Sequence, residues 1–182
     1  IMMKALGIDH AYIGIENNKK DAIEKLTQIS KGENITVVPL KVKYPQGGEK
    51  QLIKAVINRE VPSGALPIEV GAVVHNVGTA VAAYNAVQKN KPLTERVVTV
   101  TGKEVKKPSN FWVKIGSPVS DLIEAAGGIP ENTGKIIGGG SMMGKAIQSV
   151  DVPVTKGTSG IVLLPKEESY RPDIKPCIRC TQ

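Results

Sequence analysis

Cysteine, histidine and aromatic side chains are all scarce. Two cysteines, Cys177 and Cys180, sit together near the C-terminus of 182 residues. They cannot staple the fold, so no disulfide framework exists and a reducing compartment is expected. Six aromatics, from one Trp, four Tyr and one Phe, are too few for the stacking platform of a single-strand binder. No apolar run approaches the ~18 residues of a membrane span. The N-terminus lacks the basic head and apolar core of a signal peptide. A collagen, a coiled coil and a disordered tail are excluded as well. The chain opens on Ile1 rather than Met, which reads as a fragment or a processed product.

What remains is an ordinary globular composition, 41% hydrophobic and 23% charged. The length suits one domain or two small ones. Nineteen glycines and twelve prolines promise many tight turns. The net charge of +7 suits an acidic partner, and with so few aromatics nucleic acid is not the expected one.

Residues 11–16, Ala-Tyr-Ile-Gly-Ile-Glu, have a short buried-strand pattern. Asn17 is a candidate helix N-cap. Ala22, Ile23, Leu26 and Ile29 then repeat at helical spacing, with Gly32 as the C-terminal stop. Residues 35–41 form a second strand. Strand, helix, strand at this spacing is a βαβ unit with parallel pairing and a right-handed crossover. Ligands in such sheets sit beyond the carboxyl ends of the strands, which places Glu16, Asn17 and residues 41–48 at a candidate site.

Gly47-Gly48-Glu49 opens another helix, with Leu52, Ile53, Val56 and Ile57 as its apolar stripe. Residues 61–72 are a Pro/Gly-rich loop. A third helix is expected over 73–90, burying Val73, Val77, Ala80, Val81, Tyr84 and Val87. The pattern changes near Lys91-Pro92. Residues 96–101 and 111–115 alternate as a hairpin around the Lys/Pro turn at 106–108. Ser117 caps a short helix with Pro118 at its first position, striped by Val119, Leu122, Ile123 and Ala126 and closed by Gly127-Gly128. Strands follow near 135–137, 152–156 and 160–164. The fold class is therefore α/β plus α+β. Residues 1–91 are expected to hold the βαβ unit and its following helices, 92–165 a small α+β module of the β-grasp kind, and 166–182 a linker or tail.

Four constellations carry candidate chemistry. In Tyr44-Pro45-Gln46-Gly47-Gly48-Glu49, two glycines at a helix N-terminus leave amides open to an anion, and the same residues also make a plain turn into a helix. In His75-Asn76-Val77-Gly78-Thr79, Asn76 and Thr79 share one helix side, where an amide and a hydroxyl hold a ligand or satisfy themselves locally. His75 reads as structural. Gly138–Gly144 and Lys156–Gly160 read as corners and turns where glycine serves geometry. Cys177-Ile178-Arg179-Cys180 is a CxxC pair, open to zinc, redox or iron–sulfur readings. In the ferredoxin run C-x₂-C-x₂-C, the third cysteine would fall at the first position past Gln182.

Taken with Ile15-Glu16-Asn17-Asn18-Lys19, these stretches resemble, in order and over nearly the whole chain, the C subunit of the Rnf-type electron transport complex. That subunit is related to the flavin-bearing NADH dehydrogenase subunit of respiratory complex I. The resemblance implies part of a Rossmann-like flavin domain, then a soluble-ligand-binding β-grasp (SLBB) domain, then the start of a ferredoxin-like segment. It implies FMN, NAD(H) and 4Fe-4S clusters as cofactors of the whole subunit. The implied partners are other subunits of a membrane electron transport complex, and ferredoxin, at the cytoplasmic face of the membrane. The relative's site residues fall on Tyr44, Gly47 and Glu49, with Gly48 where a paired glutamate stands, and on Asn76 and Thr79, with His75 where an asparagine stands. Cys177 and Cys180 take the place of cluster ligands. The family's glycine-rich flavin loop lies upstream of residues 11–16 and is not in this sequence. The resemblance names no acid, base or nucleophile, because hydride transfer belongs to the flavin. The alternative is a docking module whose β-grasp domain contacts partner subunits or a small ligand.

Overall fold

A computed structural model describes residues 1–170; Cys177 and Cys180 lie outside the described residues. The chain divides into two units, Ile1–Lys91 and Pro92–Gln182.

The first unit begins with a short helix α1 (Met2–Leu6), then β1 (Ala11–Glu16), α2 (Lys20–Ile29) and β2 (Ile35–Leu40). β1 and β2 pair in parallel, from Ala11 opposite Ile35 to Glu16 opposite Leu40. Asn17 is not the cap of α2. Its amide donates to Leu40 O at 2.7 Å, continuing the β1–β2 ladder, so the helix starts later, with Lys19 as N-cap and no side-chain cap bond. Gly32 takes a left-handed φ of 86°, two residues after the helix has closed at Ser30.

Helix α3 (Glu49–Ile57) starts at Gly48 and packs on β1. Gly14 in the middle of β1 makes room for it. A Cβ there would lie 2.8 Å from Leu52 Cδ1 and 2.9 Å from Leu40 Cδ1. Ile53 is the fully buried residue of α3. Residues 58–76 include a 3-10 turn at Pro67–Val70 and are tied back by Arg59 Nη1 donating to Val70 O at 2.7 Å. Helix α4 (Val77–Lys89) is shorter than the spacing predicts, because Asn76 caps it. Its expected buried face is exposed: Val77 stands 67% open and Val87 66%, with Val73, Val81 and Tyr84 also exposed. No element among the described residues packs extensively against α4.

The second unit is built on a mixed five-stranded sheet. Its strands are β3 (Glu95–Thr101), β4 (Ser109–Lys114), β5 (Thr133–Gly138), β6 (Lys145–Ala146) and β7 (Gly160–Pro165), in the order β4-β3-β7-β5-β6. β3 pairs antiparallel with β4 and parallel with β7, which pairs antiparallel with β5. Period-2 alternation turns Val98, Val100, Val113, Ile161 and Leu163 onto one face. There they meet Val119, Leu122 and Ile123 of helix α5 (Val119–Ala125). Burial of each such side chain contributes about 1.5–3 kcal/mol. Pro118, not Ser117, is the N-cap of α5. The strand expected over 152–156 reduces to one bridge, Pro118 with Pro153, flanked by Val154 N–H bonded to Ser117 O. Proline at 153 has no amide to extend that ladder.

The glycine corner is geometric, as its composition suggests. Gly139 has φ 114°, and a Cβ on Gly144 would lie 2.5 Å from Gly140 O. Lys156-Gly157 turns the chain, closed by Thr158 N–H on Thr155 O at 3.1 Å.

Candidate functional site

The carboxyl ends of β1 and β2 lie side by side, because Glu16 is opposite Leu40 in the register. This brings together Glu16, Asn17 and the start of the loop 41–48. The loop makes two tight turns: Gln46 N–H donates to Lys43 O at 2.7 Å, and Gly48 N–H to Pro45 O at 2.8 Å. The Tyr44–Pro45 bond is cis. The loop delivers the chain directly into α3, whose first bond is Leu52 N–H to Gly48 O.

The two glycines serve different ends. A Cβ on Gly48 would meet Gln51 Oε1 at 2.5 Å and Pro45 O at 3.2 Å, so this glycine relieves crowding within the turn. A Cβ on Gly47 would meet nothing within 4 Å, and its φ is not left-handed. Neither crowding nor φ requires glycine at 47. The effect of its absent side chain is a bare stretch of backbone facing open space. Among the described residues the amides of Gly47, Glu49 and Lys50 have no hydrogen-bond acceptor. The helix dipole adds to them, which favours a phosphate or other anion by about 0.3–1 kcal/mol. Tyr44 stands exposed on the same loop, and Glu49 is exposed in the first turn of α3.

Asn76 and Thr79 occupy the start of α4. The Oδ1 of Asn76 accepts from Gly78 N–H at 2.8 Å, which satisfies the helix end. Its Nδ2 and the Thr79 hydroxyl carry no bond among the described residues, and both residues are exposed. His75 is exposed and also unbonded. The structure thus sets Glu16 and Asn17 beside Leu40, where the loop that carries Tyr44–Glu49 begins. It leaves Asn76 and Thr79 on a helix that makes little contact with α3. Two residues were not among the expected site positions: Lys50, whose amide joins the open set while its Nζ donates to Pro62 O at 3.3 Å, and Gly14. A glycine in the centre of an apolar strand was the signal for the second. Among the described residues no group of His, Cys, Asp and Glu could hold a metal ion.

Comparison with known proteins bears on the same segments. Residues 1–85 match the family described as Nuo51 FMN-binding domain, and residues 97–146 match the SLBB domain family. Over 180 residues the chain is 47% identical to the C subunit of a proton-translocating ferredoxin:NAD(+) oxidoreductase complex from Clostridium ljungdahlii. It is 45% identical to the C subunit of a Na(+)-translocating ferredoxin:NAD(+) oxidoreductase complex from Acetobacterium woodii. It is 43% identical to the C subunit of an ion-translocating oxidoreductase complex from Rhodobacter capsulatus. Each match covers 99% of this chain but only 39%, 41% and 35% of the relative. The chain therefore spans about two fifths of the length of these proteins. Among the described residues no helix is long and apolar enough to cross a membrane. Over nearly its whole length, the chain is similar to the C subunits of ion-translocating ferredoxin:NAD(+) oxidoreductase complexes, and a segment that matches the Nuo51 FMN-binding domain family is followed by one that matches the SLBB domain family.

Proposed function

We propose that this chain is the middle of such a C subunit, which is a peripheral component of an ion-translocating ferredoxin:NAD(+) oxidoreductase at the cytoplasmic face of the membrane. In this reading residues 1–91 are the later part of a Rossmann-like flavin domain, 92–165 a β-grasp domain, and 166–182 the approach to a ferredoxin-like segment. The single observation that carries it is the bare Gly47 backbone at the carboxyl end of a parallel strand pair, backed by unpaired amides at the start of α3.

The residues present fit FMN. Gly47 leaves its backbone open to approach from solvent, and the amides of Gly47, Glu49 and Lys50 are donors of the kind a phosphate or a flavin carbonyl accepts. Bound there, FMN supplies hydride exchange with NAD(H) and single-electron transfer toward iron–sulfur clusters. The protein's own part is position and charge. Tyr44 offers a ring and a hydroxyl beside the loop. Glu49 accepts hydrogen bonds from a polar edge or a ribose. Asn76 Nδ2 and the Thr79 hydroxyl are free to orient a ligand once α4 and α3 share it. Glu16 and Asn17 stand at the strand ends. Cys177 and Cys180 would serve as cluster ligands together with cysteines further along a longer polypeptide.

The test is FMN titration of the full-length protein that contains this segment, read by amide NMR. Shifts concentrated at Gly47–Lys50 and Asn76–Thr79 are expected. FMN binding that leaves Asn76 and Thr79 unmoved removes α4 from the site. The docking alternative draws on a different observation, the exposure of Trp112 in the second unit.

A further inference from the structure

β4 is an edge of the five-stranded sheet, paired among the described residues only with β3. Ile115 N–H donates to Thr94 O at 2.9 Å, so residues 94 and 115 form a hydrogen-bonded pair. Antiparallel alternation then makes 96/113 and 98/111 the next hydrogen-bonded pairs. It turns the N–H and C=O of Asn110 and Trp112 away from β3, onto the open edge. Neither residue's backbone groups find a partner among the described residues.

The side chains on this strand add two further observations. Asn110, Trp112 and Lys114 lie on the sheet face opposite α5, and Trp112 stands 63% exposed beside its cross-strand neighbour Val97, 45% exposed. Asn110 is held in place by Thr99 Oγ1, which donates to its Oδ1 at 2.7 Å. From Val105 to Ser120 the sequence holds Lys106, Lys107 and Lys114 and no acidic residue. None of the three ammonium groups makes an ion pair or hydrogen bond among the described residues. Glu95 stands opposite Lys114 on β3 and is engaged in an interaction of its own, and Glu104 and Asp121 border the stretch in sequence. Edges are commonly guarded by lysine and proline, and Lys114 and Pro108 do that at the two ends. A tryptophan on the open middle does not guard an edge. It supplies an apolar anchor of the kind enriched at interface centres.

We propose that β4 is the docking edge for an extended acidic segment of a partner protein, which adds as the next strand of the sheet. Its backbone bonds to Asn110 and Trp112, an apolar side chain covers Trp112 and Val97, and flanking carboxylates meet Lys107 and Lys114. Backbone bonds then set the register and side-chain pockets the specificity. This goes beyond the flavin reading and does not rest on it.

The only tryptophan of the chain is the reporter. The probe is the capped peptide Asp-Val-Glu-Ile-Asp-Val-Glu, and the control is the same pattern with lysine at every acidic position. With the acidic peptide, Trp112 emission shifts to the blue and amide exchange at Asn110 and Trp112 slows. Asn110→Pro removes an edge donor that β3 does not use, keeps the reporter, and weakens binding about tenfold or more. Lys114→Glu weakens it severalfold and flattens its salt dependence, which decides the matter should Asn110→Pro not fold. The proposal is overturned by unchanged emission and amide exchange up to about 1 mM peptide, a weak-binding ceiling. It is overturned equally by comparable binding of the basic peptide, by wild-type binding in a folded Asn110→Pro variant, or by peptide-independent dimerisation that Asn110→Pro abolishes, which would make a second copy the occupant.

Discussion

Substituting alanine at the two adjacent glycines of the turn separates ligand contact from fold. At Gly47 a methyl group meets no atom within 4 Å, and the backbone is not left-handed. Stability should therefore not fall. Alanine narrows the unfolded ensemble and contributes about 0.4–1 kcal/mol at a compatible site. In a unit of this size that is a rise of a few degrees, at about 4–8 °C per kcal/mol. If the flavin lies against that bare backbone, the methyl holds it off by about the radius of a CH₃ group. It also weakens the amide contacts, for a loss of about tenfold or more, or about 1.4 kcal/mol. Gly48→Ala should do the reverse. Its methyl would lie 2.5 Å from Gln51 Oε1 and 3.2 Å from Pro45 O, so Gln51 must swing aside and stability drops modestly. FMN affinity of the folded fraction should then stay near wild type. The assay is flavin fluorescence titration of the full-length protein, run beside thermal melts of each variant. A Gly47→Ala protein that binds FMN like wild type refutes the idea that the bare backbone is the ligand face. One destabilised by more than about 1 kcal/mol shows that glycine serves the turn instead.

Gly102→Ala should cost the second unit about 1–3 kcal/mol, because its Cβ would sit 2.3 Å from the backbone carbonyl oxygen of Leu163 in the central strand; a urea midpoint within error of wild type would show that β7 yields there. The Lys54 ammonium, 2.7 Å from Glu60, holds that carboxyl below its ordinary range by hydrogen bond and charge. The folded value being the lower one, this contribution is present above the unfolded carboxylate pKa and is lost as pH falls through the folded value. In Lys54→Met, NMR titration of Glu60 should return to the ordinary midpoint, with no change if the pairing is absent in solution. Iron and sulfide reconstitution of the 182-residue chain should give no stable monomeric cluster, since Cys177 and Cys180 are its only cysteines. A longer polypeptide with the following cysteines should turn brown under anaerobic conditions, and a colourless product counts against the ferredoxin reading.

The elements whose partners lie nearby in the chain were legible from residue pattern. β1, β2 and α3 follow from strand alternation, a double glycine and the Leu52–Ile53–Val56–Ile57 stripe. α5 and the β3–β4 hairpin follow from the same rules. Periodicity failed where it had to say what an apolar face meets. Val77, Val81, Tyr84 and Val87 keep helical spacing, yet α4 presents them to solvent. Helix starts were misplaced by one or more positions for a local reason: the Asn17 amide is already bonded to Leu40 O, and Asn76 closes the end of α4 with its own side chain. Residues 152–156 alternate like a strand, but Pro153 lacks the amide that would pair it. Trp112 was legible as a strand member; that it lies on the open face required the register.

The position of β7 imposes an order on how the second unit comes together. Gly160–Pro165 lies between β3 and β5 in the sheet, although both of those precede it in sequence. A nascent chain that has emitted β3, β4, α5, β5 and β6 holds two sheet fragments with facing raw edges and no strand to join them. The hydrophobic cluster stays unsealed until Ile161 and Leu163 arrive. The β7 strand is thus the keystone of the unit, and the loop it must close back to β3 is among the longest there. Until residue 165 has emerged from the ribosome, whatever binds exposed strand edges has access to both halves of the sheet.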